Sequence, residues 1–153
     1  MKRMWIFLLA AALLLTLAAC ARPNDVLMDI SQPYGDQVKL IHINGSSGEK
    51  SQRIQEMFET IMEAMPTEKA LKDFAYYPDY QVVITGLECF NAGDRWMGRP
   101  APGAVLEAVV DLNGDWVDLQ MVQVPPGETN KTAGVIYRAQ VSAGDFKKLI
   151  NVE

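Results

Sequence analysis

The chain has 153 residues, with 14 basic and 19 acidic side chains and a formal net charge of −5. An acidic chain lacks the basic surface that nucleic acid binding requires, so we expect no nucleic acid partner. Two cysteines and one histidine are too few for a zinc centre, and we expect neither a metal nor a cofactor.

An uncharged apolar segment begins close to the first residue. Lys2 and Arg3 precede it, and Trp5–Ala19 comprises fifteen residues without a charge. A cationic start followed by a short apolar run is typical of a secretory signal peptide, and a membrane-spanning helix needs roughly 20 residues. We therefore predict that residues 1–19 are an export signal.

The apolar segment ends in Leu17, Ala18 and Ala19, directly before Cys20. These four residues resemble the lipobox of bacterial lipoproteins, in which a signal peptidase cuts before a cysteine whose sulfur carries a diacylglycerol. The resemblance implies that Cys20 bears lipid, palmitate included, and ties the chain to the extracytoplasmic face of the cell membrane. Each buried CH₂ contributes about 0.8 kcal/mol, so two acyl chains anchor a protein stably. The alternatives are an ordinary signal cut after Ala19, or a short membrane span, with an incidental cysteine.

Cleavage before Cys20 leaves 134 residues, which suit one domain with a sizeable core. Lys2 and Arg3 are lost, so 12 basic side chains face 19 acidic ones and the net charge becomes −7. With Cys20 lipidated, Cys89 has no partner for a disulfide within the chain. Packing must therefore stabilise the fold, and Cys89 is expected in the core.

The first part of the mature chain has no sustained periodicity. Residues 20–36 contain two prolines, one glycine and three aspartates, which favours a lipid-anchored tether before a single globular domain over residues 37–153. The alternative is a first short strand formed by Val26, Leu27, Met28 and Ile30. Residues 37–44 are rich in β-branched residues and apolar on both faces, which predicts a central strand covered on each side.

Residues 45–66 show the clearest periodicity. Apolar side chains recur every three or four residues and predict one stripe of an amphipathic helix that packs on a sheet: Ile54, Met57, Phe58, Ile61, Met62 and Met65. Ser46 and Glu49 have the spacing of a capping box, Ser47 is an alternative N-cap, and Pro66 should end the helix.

Shorter elements are expected after Pro66. Residues 67–74 predict a short helix with Leu71 and Phe74 facing inward, and residues 80–86 predict a strand. Residues 91–103 contain three glycines and two prolines, which is typical of an exposed loop.

The C-terminal third predicts a hairpin, a strand and a helix. The dipeptide Asn113-Gly114 lies between two apolar segments and suits the centre of a type I′ turn. After a loop over residues 125–134, residues 135–141 predict a strand. Ser142 should then cap a helix whose apolar face holds Phe146, Leu149 and Ile150.

This order of elements predicts an α+β fold. We expect one mostly antiparallel sheet of four to five strands, backed by one long amphipathic helix, with a short C-terminal helix. The layout resembles that of small lipid-anchored domains of unknown function in Firmicutes.

Few residues suggest chemistry. Asp111, Asn113 and Asp115 match the first alternating ligands of a calcium loop, but Trp116 and Val122 replace the glycine and glutamate that complete the motif. These acidic residues are expected to be solvated flanks of the hairpin. The single histidine, His42, lies within a predicted strand, where a structural role is favoured over catalysis.

An aromatic and cationic set is the most suggestive surface feature. Side chains of the types that dominate binding hot spots occur in two exposed segments: Tyr76, Tyr77, Tyr80, Arg95, Trp96 and Arg99. We therefore expect an interaction module whose partner is a protein or a cell-wall ligand, rather than an enzyme. The alternative is an enzyme, or an accessory subunit of an envelope enzyme or transporter.

Overall fold

The structure is a computed structural model that describes residues 26–33, 39–44, 48–87, 103–125 and 131–150. Over these ranges the chain forms one antiparallel sheet of seven strands and two α-helices, which confirms the α+β class. The expected count of four to five strands is too low, because Leu27–Ser31, predicted only as an alternative to a tether, and Met65–Pro66, predicted as the end of a helix, also join the sheet. None of the helices in these ranges has the length and apolar character needed to cross a bilayer.

The strands are β1 (Leu27–Ser31), β2 (Lys39–Asn44), β3 (Met65–Pro66), β4 (Tyr80–Thr85), β5 (Leu106–Asn113), β6 (Trp116–Gln123) and β7 (Ile136–Arg138). They lie in the order β2-β1-β4-β5-β6-β7-β3, and each strand is antiparallel to its neighbours. The helices are α1 (Gly48–Met62) and α2 (Ala143–Ile150), and Leu71–Asp73 forms one turn of 3₁₀-helix.

β1 occupies part of the expected tether. It pairs with β2 on one side and β4 on the other, and its alternate residues Met28 and Ile30 are fully buried. The tether interpretation is therefore wrong for Leu27–Ser31, and the alternative of a first strand is correct. Asp29 obscured this strand in the sequence, although it lies on the opposite face from the buried residues, where a polar side chain is tolerated.

β2 is the outermost strand on its side of the described sheet, not a central one. An apolar run on both faces of a strand indicates cover above and below it. It does not indicate how many strands lie beside it. His42 lies within β2 and is paired in register with Asp29 of β1.

The core lies on one face of the sheet, called here the inner face. Alternate residues of the three middle strands are buried there: Tyr80, Val82, Ile84, Leu106, Ala108, Val110, Val117, Leu119 and Met121. The helix α1 adds five residues of its predicted stripe to the same cluster: Ile54, Met57, Phe58, Ile61 and Met62. At about 1.5–3 kcal/mol for each large apolar side chain, this stripe contributes on the order of 10 kcal/mol before entropy is subtracted.

The helix α1 ends at Met62, one turn earlier than expected. Met65 is exposed rather than part of the buried stripe, and Met65–Pro66 forms β3, paired with β7. The residue before a proline disfavours helical backbone, and proline is tolerated in a sheet mainly at its edge. The predicted serine N-caps, Ser46 and Ser47, lie outside the described residues.

Residues 67–74 do not form the expected helix. Only Leu71–Asp73 is helical, as a single 3₁₀ turn. Leu71 is exposed and Phe74 is half-buried, so the inward orientation predicted for Leu71 is wrong. The Thr67 amide and hydroxyl donate to the Ile136 carbonyl at 2.8 and 3.1 Å. These bonds start a segment that runs from the sheet edge back to β4, along the face opposite the core, called here the outer face.

The predicted hairpin forms, but its turn is displaced by one residue. Asn113 pairs with Trp116, so the two loop residues are Gly114 and Asp115. Gly114 has a φ of 64°, which the first loop position of a primed turn requires. This register places Leu112 opposite Val117, whereas the predicted turn would have placed Leu112 opposite Asp115.

The C-terminal helix matches its prediction closely, whereas the strand before it is shorter than predicted. The predicted strand is reduced to the three residues of β7. The Ser142 hydroxyl accepts a hydrogen bond from the Asp145 amide at 3.1 Å, which confirms it as the N-cap of α2. Phe146 and Ile150 are fully buried and Leu149 packs against the core.

Candidate functional site

Two tyrosines at the end of the segment 67–79 are exposed to solvent. Tyr76 is 81% exposed and Tyr77 is 66% exposed, and their rings meet edge to face with centroids 4.7 Å apart. Pro78 is buried beside them, and the Asp79 carboxylate accepts a hydrogen bond from the Leu112 amide at 2.7 Å. The two predicted contact residues are therefore presented by a segment that is fastened to β5.

The other predicted contact residues have different positions. Tyr80 is buried on the inner face, so the prediction that it contacts a partner is wrong. Burial, with a smaller contribution from the charge of Asp79, raises the pKa of the Tyr80 hydroxyl. Arg95, Trp96 and Arg99 lie outside the described residues.

A third exposed aromatic residue, Trp116, was not predicted as a contact. It is 55% exposed and lies on the outer face, because the next residue, Val117, is buried in the core. The guanidinium carbon of Arg138 lies 4.9 Å from the centroid of its ring, within the range of a cation–π interaction. The sequence contained a signal for this orientation. Val117, Leu119 and Met121 are apolar residues at every second position of the strand, which predicts that Trp116 lies on the opposite, polar face.

Asp118 holds Arg138 in place. It is only 2% exposed, and its Oδ1 accepts a hydrogen bond from Nε of Arg138 at 2.9 Å and forms an ion pair with Nη2 of the same guanidinium, also at 2.9 Å. Its Oδ2 accepts a hydrogen bond from Nζ of Lys69, in the segment that crosses the outer face. Burial alone would raise the pKa of this carboxyl, but the hydrogen bonds and charges of Arg138 and Lys69 outweigh it, so the pKa lies below its ordinary value.

The three exposed aromatic residues lie at one end of the sheet. In antiparallel strands the start of β4, the end of β5 and the start of β6 are adjacent, and neighbouring strands are about 4.8 Å apart. Tyr76 and Tyr77 precede β4, and Trp116 begins β6. We call these three residues the aromatic surface.

A pocket of about 450 Å³ lies beside the aromatic surface. It is lined by Asp115, Trp116 and residues 138–142, which connect β7 to α2. Two backbone hydrogen bonds hold this connection against the hairpin: the Ala139 amide donates to the Val117 carbonyl at 2.9 Å, and the Ala143 amide donates to the Asp115 carbonyl at 3.0 Å. The floor of the pocket is therefore fixed by the sheet.

The acidic residues of the hairpin do not assemble into a calcium site. Asp111 lies opposite Asp118 in the sheet, and its pKa is raised by burial and by the charges of Asp79 and Asp118, against a lowering by Lys69. The Asp118 carboxylate is occupied by two cations, and Asp115 is exposed at the turn. Within the described ranges, no three acidic, histidine or cysteine side chains converge on a metal-sized position.

Comparisons with protein-family models, with curated proteins and with solved structures give no match to this chain. No relative therefore assigns a role to any residue. The residues of the aromatic surface, the pocket and the N-terminal segment carry the functional conclusion.

Proposed function

We propose that this chain is a bacterial lipoprotein whose domain binds a partner at the extracytoplasmic face of the cell membrane. The observation that carries this proposal is the exposure of Tyr76, Tyr77 and Trp116 at one end of the seven-stranded sheet. Covering a large aromatic side chain removes apolar surface from water, which favours binding. Tyr, Trp and Arg are also the residue types that dominate the energetics of interfaces. The aromatic surface therefore has the composition of a binding hot spot.

The N-terminal segment supports attachment through lipid at Cys20. Residues 17–20 resemble a lipobox behind a short apolar segment. Val26 is buried in the core, and it lies six residues after Cys20 in the sequence. Six residues span at most about 3.3–3.6 Å each, or roughly 20 Å in total, so a lipid on Cys20 would keep the domain next to the bilayer. The partner is accordingly a protein or a cell-wall ligand within reach of the membrane.

Binding is favoured over catalysis by the state of the acidic residues. Asp118 is neutralised by Arg138 and Lys69, and Asp79 accepts a backbone hydrogen bond that holds β4 and β5 together. These carboxylates serve the fold. An enzyme, or an accessory subunit of an envelope enzyme or transporter, is the alternative, and the identity of the captured partner bears on the second of these.

The proposal is tested by capturing the tagged, full-length protein from cross-linked membranes of the producing cells. The variant Tyr76→Ala/Tyr77→Ala/Trp116→Ala should lose the captured partner while it retains its unfolding midpoint in urea. Val122→Ala is a matched control, because Val122 is as exposed as Trp116 but lies near the other end of β6. Equal recovery of the same partner by the triple variant and the control would contradict the proposal.

A further inference from the structure

We infer that the pocket between Trp116 and residues 138–142 binds a neutral sugar unit of a glycan. The inference deepens the proposed function by naming a ligand class for its surface, and it therefore rests on that proposal. It follows from three properties of the pocket: the charge balance, the available aromatic ring, and the polar groups at the rim.

The charge balance disfavours an anionic ligand. Arg138 is the one cation in the lining, and it shares the buried Asp118 carboxylate with Lys69. Asp115 adds a negative charge to the lining. The first turn of α2 offers no vacant anion site either, because Ser142 caps it and the carboxylate of Asp145 lies there.

The indole ring disfavours a cationic ligand. Arg138 already lies over the ring of Trp116, and its position is fixed by a hydrogen bond and an ion pair with Asp118. A ligand cation would approach a ring that already holds a guanidinium. The remaining exposed area of the indole is suited to an uncharged partner that offers C–H groups.

The polar rim disfavours a purely apolar ligand. Asp115 and Gln140 are exposed residues of the pocket lining. Asp115 lies in the turn of the hairpin, and Gln140 follows β7. Covering them with hydrocarbon would remove their hydration without replacing their hydrogen bonds. Among the described residues, the side chain of Gln140 makes one long hydrogen bond of 3.4 Å, to the Arg138 carbonyl.

A pyranose ring meets all three conditions. Its C–H face can stack on Trp116, and its hydroxyl groups can donate to the Asp115 carboxylate and exchange hydrogen bonds with the Gln140 amide. A volume of about 450 Å³ lies within the usual range of ligand pockets and accommodates such a ring. The backbone bonds that fix residues 139–143 to the hairpin spare the cost of ordering the site on binding.

The inference is tested by titration calorimetry on the detergent-solubilised full chain. The probes are a neutral tetramer of N-acetylglucosamine, a neutral tetramer of glucose, an oligomer of galacturonic acid as the anionic probe, and choline as the cationic probe. Concentrations up to about 10 mM register millimolar affinities. Binding of either neutral tetramer in preference to both charged probes is expected, and the comparison of the two tetramers distinguishes a wall amino sugar from a plain glucan.

The variants locate the binding site. Trp116→Ala should weaken the binding of the neutral tetramer by at least about tenfold, and Gln140→Ala should weaken it by about threefold. Tyr76→Ala/Tyr77→Ala should bind it as the wild type does. Gln140→Ala keeps the test valid if Trp116→Ala proves unstable in urea.

The outcomes separate this inference from the proposed function. Absence of heat with both neutral tetramers, stronger binding of a charged probe, or wild-type affinity in both Trp116→Ala and Gln140→Ala would each overturn the sugar site. If that happens while Tyr76→Ala/Tyr77→Ala/Trp116→Ala still loses its captured partner, the proposed binding function stands with a different ligand. If neither sugar binding nor partner capture depends on these residues, both fail.

Discussion

Replacing Asp118 by asparagine should destabilise the domain strongly, although the substitution keeps the shape of the side chain. The carboxylate is buried on the outer face and accepts hydrogen bonds from Arg138 and Lys69. Asp118→Asn removes the negative charge and leaves two cations next to each other. It also loosens the segment 67–79, which Lys69 ties to β6.

The size of the expected loss of stability depends on how far the two cations are exposed to solvent. Removing one partner of a fully buried ion pair costs about 3–5 kcal/mol. Lys69 and Arg138 are 31% and 28% exposed, so both can recover part of their hydration. The asparagine oxygen also retains a hydrogen bond, so the expected decrease in the free energy of unfolding is about 2–3 kcal/mol.

Urea unfolding at neutral pH measures this decrease as a shift of the midpoint at constant slope. Lys148→Ala is the matched control, because the ion pair of Lys148 with Asp145 has a similar length of 2.9 Å but is exposed. Such a pair contributes about 0–1 kcal/mol, so the control should change little. If the free energy of unfolding of Asp118→Asn lies within about 0.5 kcal/mol of the wild-type value, the ion pairs of Asp118 do not stabilise the fold.

The same comparison at acidic pH has a defined sign. The pKa of Asp118 is lower in the folded state than in the unfolded chain, so its stabilisation is complete above the unfolded value of about 4 and is lost as the pH falls through the folded pKa. The wild type should therefore lose its advantage over Asp118→Asn on acidification. A constant difference between the two proteins down to the acid transition would refute this reasoning.

Three further predictions concern stability. Ser142→Ala should lower the free energy of unfolding in urea by about 1 kcal/mol through loss of the α2 cap, and an unchanged midpoint would contradict the capping role. Phe58→Asp should abolish cooperative unfolding followed by circular dichroism, because Phe58 is a residue of α1 that is buried in the core, and wild-type melting would show that this packing is wrong. Lys131 donates to the Ala64 carbonyl, and burial lowers its pKa to about 8. Wild-type stability should accordingly rise between pH 8 and pH 10 relative to Lys131→Met, whereas parallel pH profiles would exclude that shift.

Elements with local signals were predictable from the sequence. The stripe of α1 repeats every three or four residues, and the Ser142 cap of α2 depends on a residue only three positions away. The hairpin was predicted from Asn113-Gly114, although its register was not. Matching Leu112 with Val117 across the sheet decided that register, and the turn dipeptide alone carries no information about such a pairing.

Elements that depend on distant partners were not predictable. Met65–Pro66 joins the sheet by pairing with Tyr137 and Arg138. A strand of two residues is too short to show the alternation of apolar and polar side chains that predicts a strand. The ion pair of Lys69 with Asp118 joins residues 49 positions apart. The pocket beside Trp116 likewise depends on the return of residues 138–142 to the hairpin, which neither segment indicates by itself.

The mature N-terminus tests the proposed membrane anchor most directly. Tandem mass spectrometry of the N-terminal peptide, from protein purified out of producing cells, should find a chain that starts at Cys20 with a diacylglycerol thioether on its sulfur. Cys20→Ala should accumulate as the uncleaved precursor. A wild-type protein that retains Met1, or that carries a free thiol at Cys20 and is released into the medium, would contradict a lipid-anchored binding domain.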